Sequence, residues 1–366
     1  MIYKSQPIRI AIAGLGFGES VHIPAALFNE SIELIGLWHP RLDRLREACA
    51  KHNLYGYENW QDLINDPNIE GIIIATPPAT RFELALQAIK AGKHLLLEKP
   101  IGLNSNEVME LQRNAIKRNL RIAVDYEYRA VPVFMQAKRL INQLKLDEPY
   151  FVKLDWLMSS RSSPDRPWNW YSDKNSGGGV LGALGSHAFD MIHWLIGPTQ
   201  YISSLNSTSI KERFCKQTKT NKAVTSEDIS ISILQIKSIE NNLIPVQVNL
   251  SAVTKKSRGF SLEIYGRNGT LILSSDNQND YVHGFGMWFS EGDRVFKNIQ
   301  PDPDLLFSKI WSDGRIAPVA RIQRWWANSI RENIPIIPGL VEGLSSQKVC
   351  DKANESNSNG MKLEIN

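Results

Sequence analysis

The chain has 366 residues, 42% of them hydrophobic and 22% charged, and carries a formal net charge of +4. The length exceeds what one core usually serves, so two domains are expected, and the mild, scattered charge excludes a dedicated nucleic-acid binder, which would show a basic stripe. No apolar run is long enough to span a bilayer, the first residues lead into a strand rather than a signal-peptide core, and the three distant cysteines Cys49, Cys215 and Cys350 have no metal-ligand spacing, so a soluble, reduced, cytoplasmic protein is expected.

In chain order, residues 8–14 (IRIAIAG) form an apolar strand that turns at glycine. Residues 25–30 suit a helix end, 32–38 a second strand, and 42–52 a helix with Leu42, Leu45 and Cys49 on one face. The apolar run 69–78 stops at Pro77 and Pro78, a helix follows over 81–93 with Gly92 as its C-terminal cap, and 94–100 (HLLLEKP) is a strand with an acid and a base at its tip. A helix opening on a Ser cap covers 105–119, and 121–128 is the next strand. Strands apolar on both faces and separated by helices predict a parallel, doubly wound sheet.

The pattern then changes. Segments 150–157, 226–234, 245–252, 259–266 and 269–275 read as strands, several with period two (Ile229, Ile231, Ile233; Val246, Val248, Leu250), which predicts antiparallel strands with one covered face. Residues 265–270 resemble a hairpin turn. Helices are expected at 184–197, 320–333 and 340–354, and 356–360 (SNSNG) reads as a short polar turn.

Gly14, Gly16 and Gly18 follow the first strand and precede a helix. There the first glycine permits a tight bend and the second lets a pyrophosphate approach the backbone. The match to G-x-G-x-x-G is imperfect, because Glu19 stands where glycine or alanine is usual, and a glycine turn of an unrelated α/β protein fits the same letters. The second strand ends in Trp38, His39, Pro40 and Arg41 rather than the acid that holds a ribose 2′-hydroxyl. An arginine or histidine attracts a 2′-phosphate, so NADP is preferred over NAD, although both residues also suit the start of a solvated helix. Lys99 lies at the carboxyl end of a strand, where ligands bind in such sheets; beside a nicotinamide it could exchange a proton with a hydroxyl or carbonyl group, with Glu98 paired to it or binding the cofactor.

The stretches GLGFGESVHIP, IIIATPP, AGKHLLLEKP, GGGVLGALGSHAFDMIHWLIG and GLVEGLSSQKVCDKANESNSNGMKL occur here in one order over nearly the whole chain. In this the chain resembles the Gfo/Idh/MocA oxidoreductases, the family of glucose–fructose oxidoreductase and inositol dehydrogenase. The resemblance implies an N-terminal Rossmann domain, residues 1–128, and a C-terminal α+β domain, residues 129–366, with an open, mostly antiparallel sheet for substrate binding and oligomerisation, the last helix able to return to the first domain. It implies hydride transfer between NAD(P) and a sugar, polyol or related hydroxy or keto compound, in a homodimer or homotetramer. A glycosidase that uses bound NAD without net redox change, and a nucleotide-sensing regulator, are the alternatives.

Residue by residue, the resemblance implies Lys99 and His187 as catalytic. It places the cofactor against Gly14, Gly16, Phe17, Gly18, Thr76, Pro77, Glu98 and Lys99, to which the strand-end argument adds His39 and Arg41. The substrate falls to Tyr126, Arg129, Trp168 and His187, and no metal is expected. Trp168, Trp170 and Tyr171 suit either a sugar-stacking wall or a protein interface. Two positions depart from the family pattern: Ala183 stands four residues before His187 where Asp is frequent, and Arg81 stands where His is common.

Overall fold

The computed structural model describes residues 6–143, 146–277 and 283–365. The chain divides into two compact units, Met1–Ala130 with Lys309–Leu344, and Val131–Ser308 with Ser345–Asn366.

In the first unit six strands form one parallel sheet: Ile8–Ala13 (β1), Ile32–Trp38 (β2), Tyr55–Tyr57 (β3), Gly71–Ile74 (β4), His94–Leu97 (β5) and Ile122–Val124 (β6), in the order β3-β2-β1-β4-β5-β6. The order reverses between β1 and β4, so the carboxyl ends of these two strands flank the crevice in which doubly wound sheets bind ligands. The central strands are apolar because both faces are covered: Ile10, Ile12, Ile73 and Leu96 pack on one side, and Ala11, Ala13, Ile72, Ile74, Leu95 and Leu97 on the other. The helices are Ile23–Phe28 (α1), Leu42–His52 (α2), Trp60–Asn65 (α3), Pro78–Lys90 (α4) and Ser105–Lys117 (α5). Gly92 follows α4 with φ +83°, the left-handed geometry that suits a cap glycine. The N-cap of α5 is Asn104, one residue before the expected serine; its side chain accepts from the Glu107 N–H. A later helix, Ile316–Glu332, covers one sheet face through Ile322, Trp326 and Ala327. A Cβ on Gly71 would lie 2.7 Å from the Trp326 ring, so only glycine lets β4 pass beneath it.

The second unit begins with Pro132–Asn142 (α6) and Pro149–Leu157 (β7). A π-type turn, Leu181–Gly185, runs into Ser186–Leu195 (α7), followed by Thr199–Ser207 (β8). The strands Glu212–Cys215 (β9) and Thr220–Ala223 (β10) form a separate hairpin. Next come Ile229–Lys237 (β11), Leu243–Ser251 (β12), Gly259–Gly266 (β13), Gly269–Ser275 (β14), Gly286–Glu291 (β15) and Lys297–Asn298 (β16), then the first unit's Ile316–Glu332 (α8), then Leu340–Asn359 (α9), which the two units share, and Leu363–Glu364 (β17). The nine-stranded sheet has the order β16-β15-β14-β13-β7-β12-β11-β8-β17, antiparallel except for the pair β7 and β12. Period two holds in both strands, but only β12 covers the expected face: Val246, Val248 and Leu250 are buried, whereas in β11 Ile231 and Ile233 are exposed and Ser230, Ser232, Leu234 and Ile236 face the core.

The polar stretch 356–360 is not a turn. Helix α9 runs through it to Asn359 and ends at Gly360, where φ is +70°. Its polarity serves contacts with β8: Ser356 Oγ accepts the Ser204 N–H at 3.0 Å, and Asn357 Oδ1 accepts the Asn206 N–H at 2.7 Å. The β8 donors that the two-residue β17 does not reach are thus satisfied by side chains, which hydropathy alone does not reveal.

One consequence for stability lies in β5. His94 Nδ1 accepts the Arg121 N–H at 2.9 Å, and burial, reinforced by the Arg121 and Arg331 charges, pushes the His94 pKa down to about 4. The unfolded chain binds this proton near pH 6.5 and the folded chain does not. The contribution to stability is therefore complete above pH 6.5 and lost as pH falls toward 4, by up to about 3 kcal/mol. Urea unfolding at about pH 7 and about pH 4.5 is expected to show a smaller acid loss in His94→Asn, which keeps an acceptor but does not titrate; equal losses would discard this origin.

Candidate active site

The loops that leave β1, β2, β4, β5 and β6 carry every predicted first-unit site residue, all at the carboxyl end of the sheet. Gly14 has φ +98°, and a Cβ there would lie 2.7 Å from the Ala75 carbonyl carbon, so the first glycine packs directly on the β4 loop. A Cβ on Gly16 would meet nothing within 4 Å; the space over this residue is open, as a pyrophosphate approaching the backbone requires. Gly18 starts a π-type turn, Gly18–His22, that continues into α1. Glu19 explains the imperfect motif: its carboxylate takes Lys51 Nζ at 2.8 Å and Arg44 Nη2 at 3.3 Å, which ties the loop to α2.

At the end of β2, His39 is half-buried and Arg41 exposed. His39 Nδ1 accepts the Arg41 N–H at 3.1 Å, and burial, with the Arg41 and Arg44 charges, holds the His39 pKa below its ordinary value despite opposing contributions from its hydrogen bond and Asp43. His39 therefore shapes the turn as a neutral ring, and the positive charge there is that of Arg41.

Lys99 is half-buried at the tip of β5, joined to Pro100 by a cis peptide bond. Its N–H donates to Glu98 Oε2 at 3.2 Å, and Glu98 Oε1 pairs with His22 Nε2 at 2.9 Å. The His22 ring is fully buried, and Phe17 of the glycine loop packs edge-on against it. On its other side, Gln323 Nε2 donates to the His22 carbonyl at 3.1 Å and faces Nδ1 at 3.3 Å, which places the ring proton on Nε2, toward Glu98. A buried imidazole thus links the glycine loop to the segment that carries Lys99. Sequence reasoning missed it; the available signal was a histidine between Val21 and Ile23, three residues beyond an imperfect glycine motif.

Three buried acids surround this point. Burial alone would raise Glu98, but the His22 hydrogen bond and the neighbouring Lys99 and Arg81 charges outweigh it and hold the carboxyl below its ordinary range. Burial and the neighbouring Glu98 and Glu127 charges push Asp125 well above its own. Burial pushes Glu127 up to about 7 against the opposing charge of Lys99. The loop therefore sets a carboxyl held below its ordinary range, Glu98, next to one pushed above it, Asp125. His22, Glu98 and Asp125 each bring one ligand atom within 4.8 Å of the others. The ring proton, however, points at Glu98, and a cation would have to displace it, so we assign no metal here.

Arg81, on the first turn of α4, is the second residue that sequence reasoning did not place in the site. Its guanidinium is buried and donates to three main-chain carbonyls: Glu98 at 2.6 Å, Pro100, and Thr76. The loops after β4 and β5, which hold Thr76, Pro77, Glu98 and Lys99, are thereby tied to one side chain. Thr76 Oγ1 is buried and has no hydrogen-bond partner among the described residues. Open space over Gly16 and this orphaned hydroxyl both fit a dinucleotide whose pyrophosphate lies on the glycine loop and whose nicotinamide end reaches the β4 loop. Tyr126 and Arg129 follow β6, both buried, and the Arg129 N–H donates to the Tyr126 carbonyl at 3.0 Å.

In the second unit, His187 sits on the first turn of α7, buried, its ring 6.2 Å from that of Trp156. Asp190, one turn on, is buried too. The glycines 177–179 permit close backbone approach: a Cβ on Gly178 would lie 2.5–2.7 Å from the carbonyl oxygens of Trp170, Tyr171 and Asp173, and one on Gly179 would strike the Glu227 carboxylate. His193 bridges Thr199 Oγ1 at 2.8 Å and Ser345 Oγ at 3.0 Å, a structural role. Trp168 donates its indole N–H to the Ala223 carbonyl at 3.1 Å and lies under Lys222, against the β9–β10 hairpin.

The profile of the oxidoreductase family with an NAD-binding Rossmann fold matches residues 8–126, and that of the family's C-terminal α/β domain matches residues 138–365. The chain belongs to the Gfo/Idh/MocA oxidoreductase family. It is an enzyme of the dehydrogenase type, with a Rossmann domain for a nicotinamide cofactor. An uncharacterized oxidoreductase of Synechocystis sp. is 38% identical over 355 residues, 96% of this chain and 95% of that protein. Glucose-6-phosphate 3-dehydrogenase of Bacillus subtilis is 24% identical over 366 residues, 98% of each. Among solved structures, levoglucosan dehydrogenase in complex with NADH and L-sorbose superposes with a TM-score of 0.86 at 20% identity, covering 99% of this chain and 100% of that one, a likeness of fold. Among the described residues, no helix is long and apolar enough to cross a membrane.

Proposed function

We propose that this protein is a dehydrogenase or reductase acting on a hydroxyl or carbonyl carbon of a sugar or polyol, with NADP preferred over NAD. The observation that carries this reading is Lys99: a half-buried amine at the β5 tip, beside the ionised Glu98 and near the crevice formed where the strand order reverses. The cofactor, when bound, supplies or accepts the hydride. In the oxidative direction the hydroxyl proton passes to the Lys99 amine, and in reduction the ammonium returns it. His187, on the second unit, is proposed as the other proton-transfer group, and Tyr126, Arg129 and Trp168 as substrate contacts. Gly14, Gly16, Phe17 and Gly18 hold the pyrophosphate. Glu98, tethered by His22, positions the Lys99 main chain and keeps a negative charge at its side. The exposed apolar face of the second sheet, with Leu205, Ile231, Ile233 and Leu243, suits burial in a homodimer or homotetramer.

The test is a binding titration with NAD, NADP and their reduced forms, followed by nicotinamide absorbance against sugars and polyols. Substrate-dependent absorbance change supports the reading; cofactor binding with no transfer to any substrate would favour a sensor. For cofactor choice, Arg41 is the discriminating charge. Arg41→Glu is expected to weaken NADP binding about tenfold or more while sparing NAD, because a carboxylate repels the 2′-phosphate and accepts from a free 2′-hydroxyl. Equal Kd changes for both cofactors would remove Arg41 from that role.

A further inference from the structure

Loop 159–176 and the hairpin beside it gather three guanidinium groups, none of which contacts a carboxylate among the described residues. Arg213, buried on β9, donates from Nη1 to the Ser163 and Arg166 carbonyls at 2.7 and 3.3 Å, and from Nη2 to the Arg161 carbonyl at 2.6 Å. Arg166 Nη1 donates to the Ser160 carbonyl at 2.5 Å. Arg161 differs from both. It is only partly exposed, and its guanidinium makes no hydrogen bond or ion pair with any described residue; the contact it has is the face of Tyr171, 4.2 Å from the ring centre. Trp170 stacks on the same tyrosine at 3.6 Å.

The acid whose charge favours Arg161 is Glu227, with which it forms no ion pair. Its carboxylate is already engaged: Oε1 accepts the Leu181 N–H at 2.9 Å and closes the turn that leads to α7 and His187. Burial raises its pKa, so it offers Arg161 a weakened negative charge. For Arg161 itself, burial and the neighbouring Arg166 and Arg213 charges oppose the charged form, against the favourable influence of Tyr171 and Glu227. A cation withdrawn from water is costly unless paired, and an aromatic face offsets only part of that cost. A planar fork with its donors unused matches a phosphate or carboxylate.

We propose that Arg161, braced by Tyr171 and flanked by Arg166 and Arg213, is an anion subsite that holds a phosphate or carboxylate substituent of the substrate. The inference deepens the proposed activity and rests on it for the word substrate; the subsite itself stands on the second unit alone. It makes the preferred substrate a phosphorylated sugar or a sugar acid rather than a neutral sugar.

The experiment uses the full chain with saturating reduced cofactor, so that the glycine loop is filled. Inorganic phosphate, a hexose phosphate, a hexuronic acid and the neutral hexose are titrated while tryptophan fluorescence is followed, since Trp168 and Trp170 lie in the loop. The expected result is at least tenfold tighter binding of one charged sugar than of the neutral hexose; whichever charged sugar binds tighter identifies the group. Arg161→Gln should lose that advantage at least tenfold and leave neutral-hexose binding unchanged, with Lys297→Gln, on an exposed strand, as the silent control. Arg161→Lys, a point charge without the fork, should fall between, and it serves if the glutamine variant fails to fold. Equal binding of charged and neutral sugars by the wild type, or an undiminished preference in the Arg161 variants, overturns the inference. Hydride transfer to neutral sugars, indifferent to Arg161→Gln, overturns it while leaving the dehydrogenase reading intact. An Arg161-dependent preference without hydride transfer does the reverse.

Discussion

Lys99→Ala is expected to lower turnover by about 10²–10⁴-fold while leaving cofactor Kd within a few-fold of wild type. The asymmetry follows from the geometry. The cofactor loop is shaped by Gly14, Gly16 and the Glu19 tether, none of which depends on the Lys99 side chain. Glu98 stays held by His22. What is lost is the one amine at the β5 tip and the positive charge that opposes the burial of Glu127. Lys99→Arg separates these contributions: it restores the charge beside the acids but does not release a proton near neutral pH, so it should recover stability and not rate. Single-turnover nicotinamide absorbance, with thermal unfolding alongside, reads both. Full activity in either variant would move the proton-transfer role away from Lys99.

Much of this site was legible because it is local. The glycine loop, the β4 loop and the Glu98-Lys99-Pro100 tip each follow an apolar strand directly, and a parallel sheet delivers all such segments to one edge. What was not legible depends on partners distant in sequence. Arg81 sits at the start of a buried stripe with Ala85 and Ile89, at helical spacing, so its burial could be suspected; its acceptors, Glu98 and Pro100, lie 17 and 19 residues on and follow from the pairing of β4 with β5. Gln323 orients His22 from 301 residues away, on a helix that returns to the first unit after the whole second sheet. In the second unit, β8 escaped the pattern because it is polar where it meets α9: the Ser204 and Asn206 N–H groups donate to Ser356 and Asn357, and the Asn206 side chain to Asn354, and the same polarity made α9 look like a turn at 356–360. Two polar segments that satisfy each other are invisible to a rule built on apolar periodicity.

The same long-range logic makes Arg81 the position where a single substitution should do most damage to the first unit. Three buried carbonyls depend on one guanidinium, and a carbonyl left without a donor costs about 1–3 kcal/mol. Arg81→Met removes all three bonds and also the desolvation cost of the charge, so the net loss is expected at about 3–5 kcal/mol. Arg81→Lys carries a point charge with rotatable donors and reaches fewer acceptors, so it should lose less. Arg81→His offers at most two ring N–H donors to three carbonyls and belongs between lysine and methionine. Function should follow the same order, because the two tethered loops hold Thr76 and Lys99, and a misplacement of about 1 Å at reacting groups costs on the order of 10²-fold in rate. Urea unfolding of the three variants, with cofactor Kd and single-turnover rate on whichever remain folded, checks this. If Arg81→Met lies within about 1 kcal/mol of wild type and turns over normally, the loops are held by their strands alone and the guanidinium is incidental.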